Sequence, residues 1–330
     1  MRGPVYLGVD VGGTKVAAGL VNSHGEILYK TRLAMNGRGT AEDGFDSIRD
    51  AIRAVLTANP GAPITSIGVA SPGPLDPRTG VILFTPNIPC WHDFNLREAI
   101  ENAYQFPTRV DNDANAAGLA EAIFGAGRGY SSVFYATLGT GIGTAIVLDG
   151  KLYYGRTGLA AEGGHMTVDM NAPCHCECGK PGCVESFASG TSIARMAREA
   201  AEKDPAAGAH ILELAGGDPN NITGRVVSEA SSAGDLLATE LLTDSAHVLT
   251  AWFGNIVDLL EPDVFVVGGG MSEVFSRFFP QMLRDLPKWS VNKRCADTPL
   301  VRAHFGEDSG LVGAAALCLS EPVMQTTVAG

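Results

Sequence analysis

Short apolar runs broken by glycine-rich turns set the pattern of the first third of the chain. Val5-Tyr-Leu-Gly-Val9 is bounded by turn residues and predicts a buried strand. It runs into Asp10-Val-Gly-Gly-Thr-Lys15, after which Val16 to Val21 predicts a second strand. Asn22-Ser-His-Gly25 is turn chemistry, and Glu26 to Arg32 suits a third strand. From Thr40 the period becomes helical, with Phe45, Ile48, Ile52, Val55 and Leu56 at helix spacing. Ile64 to Ala70 is a strand again and ends in Ser71-Pro-Gly-Pro74. Strands alternating with helices in this way predict an α/β domain.

The order then partly repeats. Val133 to Thr137 predicts a strand, Leu138 to Gly143 a glycine-rich turn, and Thr144 to Leu148 a returning strand. Asp149-Gly150 is a hairpin signal leading to Lys151 to Tyr154. Aligning Asp10 with Thr137 places Gly12 on Gly139, so a strand–turn–strand–turn–strand unit occurs twice. Two related domains facing each other across a cleft would produce that repeat, and chance likeness between two glycine-rich hairpins is the plainer alternative. Further on, Ala116 to Phe124 and Phe187 to Lys203 predict helices, and a Gly/Pro/Asn-rich stretch runs to about Gly224. Ala230 to Leu260 is helical, Asp263 to Val267 is an apolar strand delivered into Gly268-Gly-Gly270, and Gly310 to Leu319 is a small-residue helix. Glu321 to Gly330 has no periodicity and reads as a frayed tail.

A chain of 330 residues is long enough for two domains sharing an active site, and 45% hydrophobic with 18% charged residues suits substantial cores. No apolar run approaches the ~20 residues a membrane span needs. The N-terminus meets Asp10 too soon for a secretory signal, so no membrane partner and a cytoplasmic location are expected. A net charge of −12 argues against a nucleic-acid partner held by a general basic surface. It also means that a bound polyphosphate must be neutralised locally.

Within the stretch Gly158 to Ser189, His165, Cys174, Cys176, Cys178 and Cys183 crowd together, with Glu162 before them and Glu185 after. Zinc takes four nitrogen or sulfur ligands in a tetrahedron, and Cys176, Cys178 and Cys183 with His165 supply them. A closed set of this kind is structural: it would pin a long loop and fix where Glu162 and Glu185 point. Disulfides and unliganded thiols are the alternatives, although seven cysteines make no disulfide scaffold. Cys174 and His175 stand beside the set and could replace a member.

Two glycine-rich turns after strands can present backbone N–H groups to phosphate. In the first, Gly12 and Gly13 are joined by the Thr14 hydroxyl, the Lys15 cation and an Asp10 carboxylate able to hold Mg2+. Neither the Walker A spacing nor the dinucleotide fingerprint is present. Gly139, Thr140 and Gly141 form the second turn, and Gly268, Gly269 and Gly270 would let a base or ribose approach the backbone. In Arg109-Val-Asp-Asn-Asp-Ala-Asn115, Asp111 reads as a plain helix cap, while Asp113 is either a cap or a general base. Ser71, Gly73 and Asn87 sit in rigid loops that either turn the chain or bind a polyol, in the second case with Asn112, Glu162, His165 and Glu185. A His165 with one nitrogen on zinc keeps the other for a sugar oxygen.

These residues resemble the ROK family (repressors, open reading frames, sugar kinases) of the actin-like, ribonuclease-H-like ATPases, over almost the whole chain. Asp10 to Lys15 resembles its first phosphate loop, Leu138 to Gly141 its second, and Ser71 to Gly73, Asn87 and Asn112-Asp113 its sugar-site motifs. Glu162-x-Gly-His165 and Cys176-x-Cys-Gly-x-x-Gly-Cys183-x-Glu185 follow its zinc-loop motifs residue by residue. The resemblance implies a two-domain actin-like fold with a cleft between the domains and a zinc-binding loop. It places a small α/β domain at 1–111, joined by the C-terminal helix at about 310–330, and a large one at 112–309. It implies a glucokinase-type activity, in which Asp113 deprotonates the 6-hydroxyl of a hexose, most often glucose, as ATP with Mg2+ gives up its γ-phosphoryl. Dimers or tetramers are implied too. Two departures stand out: Cys90 is inserted before Trp91, lengthening the sugar loop by one residue, and Cys174-His175 adds spare ligands. N-acetylmannosamine, N-acetylglucosamine, fructose and allose kinases would share nearly every one of these residues. A sugar-responsive repressor would need a helix-turn-helix domain ahead of Asp10, and a non-catalytic sensor would not need Asp10, Lys15 and Asp113 together.

Overall fold

The apolar run from Val5 to Val9 lies in a central strand, with a neighbouring strand on each edge. The computed structural model describes residues 3–173 and 176–319. Its first sheet is ordered β3-β2-β1-β4-β8, from β1 (Val5–Val11), β2 (Lys15–Asn22), β3 (Ile27–Ala34), β4 (Ile64–Ser71) and β8 (Thr108–Asn112). Only Tyr6 and Asp10 of β1 are partly exposed, as expected of a central strand with both faces packed. The edge strand β3 is exposed or partly exposed throughout. Antiparallel pairing of β1–β2–β3 gives way to parallel pairing of β1–β4–β8.

Helix α1 (Ala41–Ala58) starts where the period changes. Thr40 and Asp43 form a reciprocal capping box, and Phe45, Ile48, Ile52 and Val55 are buried against the sheet core. A small sheet of β5 (Leu75–Asp76), β6 (Val81–Phe84) and β7 (His92–Asn95) follows, then α2 (Leu96–Tyr104), β8 and α3 (Asp113–Phe124). The sequence pattern starts α3 at Ala116, but the helix begins at Asp113 because Asn112, not Asp111, is its cap.

The second sheet repeats the first. It is ordered β11-β10-β9-β12-β13, from β9 (Ser132–Leu138), β10 (Ile142–Leu148), β11 (Lys151–Leu152), β12 (Val264–Gly268) and β13 (Leu300–Arg302). Again an antiparallel meander passes into parallel strands. The helices are α4 (Glu185–Ala188), α5 (Gly190–Lys203), α6 (Ala209–Leu214), α7 (Gly224–Ser232), α8 (Leu236–Leu260), α9 (Ser272–Ser276), α10 (Phe279–Asp285) and α11 (Ser309–Leu317). The single helix read from Phe187 to Lys203 is two, broken at Ser189, whose hydroxyl caps α5 by accepting the Ser192 N–H. The span from Ala230 is likewise interrupted at Gly234, where φ is +93°, and Asp235 caps α8. The expected tail from Glu321 to Gly330 lies outside the described residues.

Contacts group the chain into two compact units, Met1–Ser131 with Ala145–Ala161 and His304–Gly330, and Ser132–Thr144 with Glu162–Ala303. The sequence expectation draws its boundary at 111/112, whereas these contacts keep α3 with the first sheet. The reason is α11, which lies against α3, β1 and β4. Its backbone comes so close that a Cβ on Gly68 of β4 would strike the Ala314 carbonyl, and one on Gly313 would strike that of Ala116. Every α11 residue except Gly310 is buried, which is why that helix is built of small side chains. Among the described residues no helix is long and apolar enough to cross a membrane.

Candidate active site

In the first unit, Asp10 is the penultimate residue of β1, just before the Gly12–Lys15 turn. Gly12 N–H donates to the Lys15 carbonyl (2.9 Å), and the Thr14 carbonyl accepts from Met35 N–H (2.9 Å). A Cβ on Gly310 would lie 2.5 Å from the Asp10 carboxylate, so the first turn of α11 stands directly against it. Burial, and next the negative charge of Asp113, push the Asp10 carboxyl up to about 6, against the opposing pull of Arg32.

That shift has a definite sign for stability. As pH rises from 3.8 to about 6, the unfolded chain releases this proton before the folded one, so the fold is progressively disfavoured. Asp10→Asn is therefore expected to raise the urea midpoint at about pH 7 and to leave it nearly unchanged below about pH 4. An equal gain at both pH values would show that charge is not the cause.

The parallel register of β4 and β8 pairs Ser71 with Asn112. A Cβ on Gly73 would sit 3.4 Å from Asn112 Nδ2, and one on Gly13 would sit 2.9 Å from the Asn87 carbonyl. Ser71 and Gly73 thus lie beside Asn112, and Gly13 beside Asn87, at strand ends and in loops of one unit. Asn112 Oδ1 caps α3, accepting from Ala114 N–H (2.9 Å) and Asn115 N–H (3.3 Å). Asp113 is the exposed first residue of that helix, and its Oδ1 also accepts from Ala114 N–H (2.8 Å).

Asp111 has a different place from the cap expected of it. Only 2% exposed, it accepts the Tyr154 hydroxyl (2.5 Å), Asn115 Nδ2 (2.9 Å) and Asn112 N–H (2.7 Å). Burial still holds its carboxyl up to about 6 despite these three donors. It braces the turn that carries Asn112 and Asp113.

In the second unit, Gly139 N–H donates to the Gly141 carbonyl (2.9 Å), and the Gly139 carbonyl accepts from Gly190 N–H at the start of α5 (2.8 Å). Beside this turn is a cavity of about 540 Å³ lined by Gly139, Thr140, Thr191, Arg198, Arg225 and Gly270, among others. Helices α5 and α7 both begin at its wall, under the Ser189 and Thr223 caps. Of the three consecutive glycines, Gly270 faces the cavity. Gly268 packs against the Tyr135 hydroxyl and Gly269, at φ +81°, against the Leu138 carbonyl.

The loop after β11 brings His165, Cys176, Cys178 and Cys183 together, with one ligand atom from each inside 4.8 Å. Backbone pairing of 166–168 with 182–184 does this: Val184 N–H reaches the Met166 carbonyl (2.9 Å) and Val168 N–H that of Gly182 (2.8 Å). Cys176 Sγ is 3.3 Å from His165 Nδ1, and Cys178 Sγ is 3.4 Å from Cys183 Sγ, far beyond the ~2.05 Å of a disulfide. Three thiols and an imidazole converging at this range are the donor set that zinc takes, so the residues fit that ion. Cys174 and His175 lie outside the described residues. His165 Nε2 points the other way and is 4.0 Å from Glu162 Oε2. Between them Gly164 rests on the Ile142 carbonyl with no room for a side chain. Glu185 Oε2 accepts the Ile142 N–H (2.8 Å).

The ROK family profile matches residues 6–321. The glucokinase of Streptomyces coelicolor is 34% identical over 322 residues, 96% of this chain and 99% of that protein. The chain belongs to the ROK family. A solved ROK glucokinase from Streptomyces griseus, in complex with glucose and AMPPNP, is 36% identical with a TM-score of 0.80, covering 95% of this chain and 98% of that one. The N-acetylgalactosamine kinase of Shewanella sp. is 29% identical over 323 residues, 95% of this chain and 96% of that protein. The actin-like ATPase fold of ROK proteins is therefore the fold of this chain.

Within this ROK protein the residues singled out from the sequence fall into three groups. Asp10 to Lys15, Ser71, Gly73, Asn87, Asn112 and Asp113 belong to the first unit. Gly139, Thr140 and Gly270 border the cavity of the second, with Gly141 next to it in the turn, and Glu162, His165 and Glu185 belong to the metal-loop region. Sequence reasoning missed Gly190, Thr191, Arg198, Thr223 and Arg225 on the cavity wall. Ser189 and Thr223 are helix-capping residue types, and reading them as caps would have placed two helix starts there.

Proposed function

We propose that this ROK protein is a sugar kinase that transfers the γ-phosphoryl of ATP to the 6-hydroxyl of a hexose, glucose first. The observation that carries the reading is Asp113, exposed at the first turn of α3 beside the Asn112 cap and close enough to Asp10 to raise its pKa. A carboxylate there can take the proton from a sugar hydroxyl as phosphoryl transfer proceeds. Ser71, Gly73, Asn87, Asn112, Glu162, His165 and Glu185 bind the sugar in this reading. The Gly12–Lys15 and Gly139–Gly141 turns bind phosphate, and the cavity at Gly270 takes the nucleotide base and ribose. Asp10 holds Mg2+, which supplies neutralisation of phosphate charge when bound. Zinc on His165, Cys176, Cys178 and Cys183 supplies rigidity to the loop.

The Streptomyces glucokinases support glucose as the acceptor, and the Shewanella relative keeps an N-acetylhexosamine as a second reading. A cytoplasmic homo-oligomer, a dimer or tetramer, completes the proposal and is checked by sizing the purified protein. The deciding experiment is a coupled ADP-release assay with glucose, mannose, fructose, N-acetylmannosamine and N-acetylglucosamine. Glucose is expected to give the highest kcat/KM. ADP release that no sugar raises above the background would overturn the kinase reading.

A further inference from the structure

Glu185 opens α4 two residues after the ligand Cys183, and its carboxylate has two neighbours of different kinds. Oε1 is 3.5 Å from Cys176 Sγ in the metal cluster. Oε2 accepts the N–H of Ile142 (2.8 Å), the residue that follows the Gly139–Gly141 turn. The fit is close, since a Cβ on Gly141 would stand 2.5 Å from that oxygen. The backbone of Glu185 is tied into the same wall: its carbonyl accepts the Ser192 hydroxyl (2.7 Å) in the first turn of α5, whose Gly190 N–H holds the Gly139 carbonyl. Gly139, Thr140, Gly190 and Thr191 all line the cavity.

We propose that Glu185 is a positioning residue that couples the Cys/His cluster to the second phosphate turn, so that the metal loop sets affinity for the nucleotide. The inference rests on reading the cavity as the nucleotide site. Without the carboxylate, the Ile142 N–H loses its acceptor, and the turn must be ordered at the expense of binding. Glutamine conserves the brace, because its carbonyl oxygen can accept from Ile142 while its amide faces the Cys176 sulfur.

The test is calorimetric titration of AMPPNP into the zinc-loaded protein without sugar, which separates this role from any contact Glu185 makes to a hexose. Glu185→Ala is expected to weaken the analogue about tenfold or more and Glu185→Gln less than about threefold, the loss of one hydrogen bond against its retention. Removal of zinc from the folded wild type, with Mg2+ restored before titration, is expected to weaken binding in the same direction. That arm decides the matter if Glu185→Ala does not fold. Wild-type affinity in Glu185→Ala and after zinc removal overturns the coupling alone. Wild-type protein that binds no AMPPNP overturns the nucleotide reading of the cavity and the coupling with it.

Discussion

Asp113→Asn is expected to lower kcat by about three orders of magnitude while the hexose still binds, which is the range for removal of a general base. The substitution keeps the shape of the side chain and an oxygen that can accept from Ala114 N–H, as Oδ1 does at 2.8 Å. Since Asp113 is exposed and Asn112 provides the α3 cap, the fold has little to lose. What disappears is the charge. A second readout follows, because Asp113 helps to raise the Asp10 carboxyl: the acid limb of the residual activity should move to lower pH. Steady-state kinetics across pH, with glucose binding measured by calorimetry, checks both parts. A variant within tenfold of the wild-type kcat would take Asp113 out of the mechanism.

Cys178→Ser is expected to abolish stoichiometric zinc and to lower Tm by roughly 10 °C. Cys178 is the exposed member of its cluster, whereas Cys176 and Cys183 are buried. Exchanging an exposed thiol for a hydroxyl that binds no metal alters stability by only ~0.5 kcal/mol. A large loss therefore reports on the ligand and not on packing. Elemental analysis and thermal unfolding of both proteins check the expectation. Absence of zinc from the wild type, or identical melting of the two, would contradict it.

The α/β repeat and the metal loop were legible because each has a local signature. Apolar runs of strand length with glycine turns mark β1 and β9, and the ligand spacing marks the Cys/His cluster. Other features depend on partners remote in sequence. Asp111 sits before a helix and looks like a cap, yet its carboxylate is claimed by Tyr154, which only the folded chain brings to it. The strands β5 and β13 are two and three residues long, too short for any periodicity to register. The cavity wall is assembled from helix starts 34 residues apart, at Gly190 and Gly224, so no single window of sequence contains it.

The small-residue helix Ser309–Leu317 has a consequence for synthesis. The sheet it packs against is built from strands that all precede it in the chain, yet Gly68 of β4 shows that the two surfaces meet backbone to backbone. Until this helix emerges, β1 and β4 lack the packing it gives them. The strands translated before this helix must therefore wait for it, and a chain still lacking it would offer chaperones an apolar sheet face.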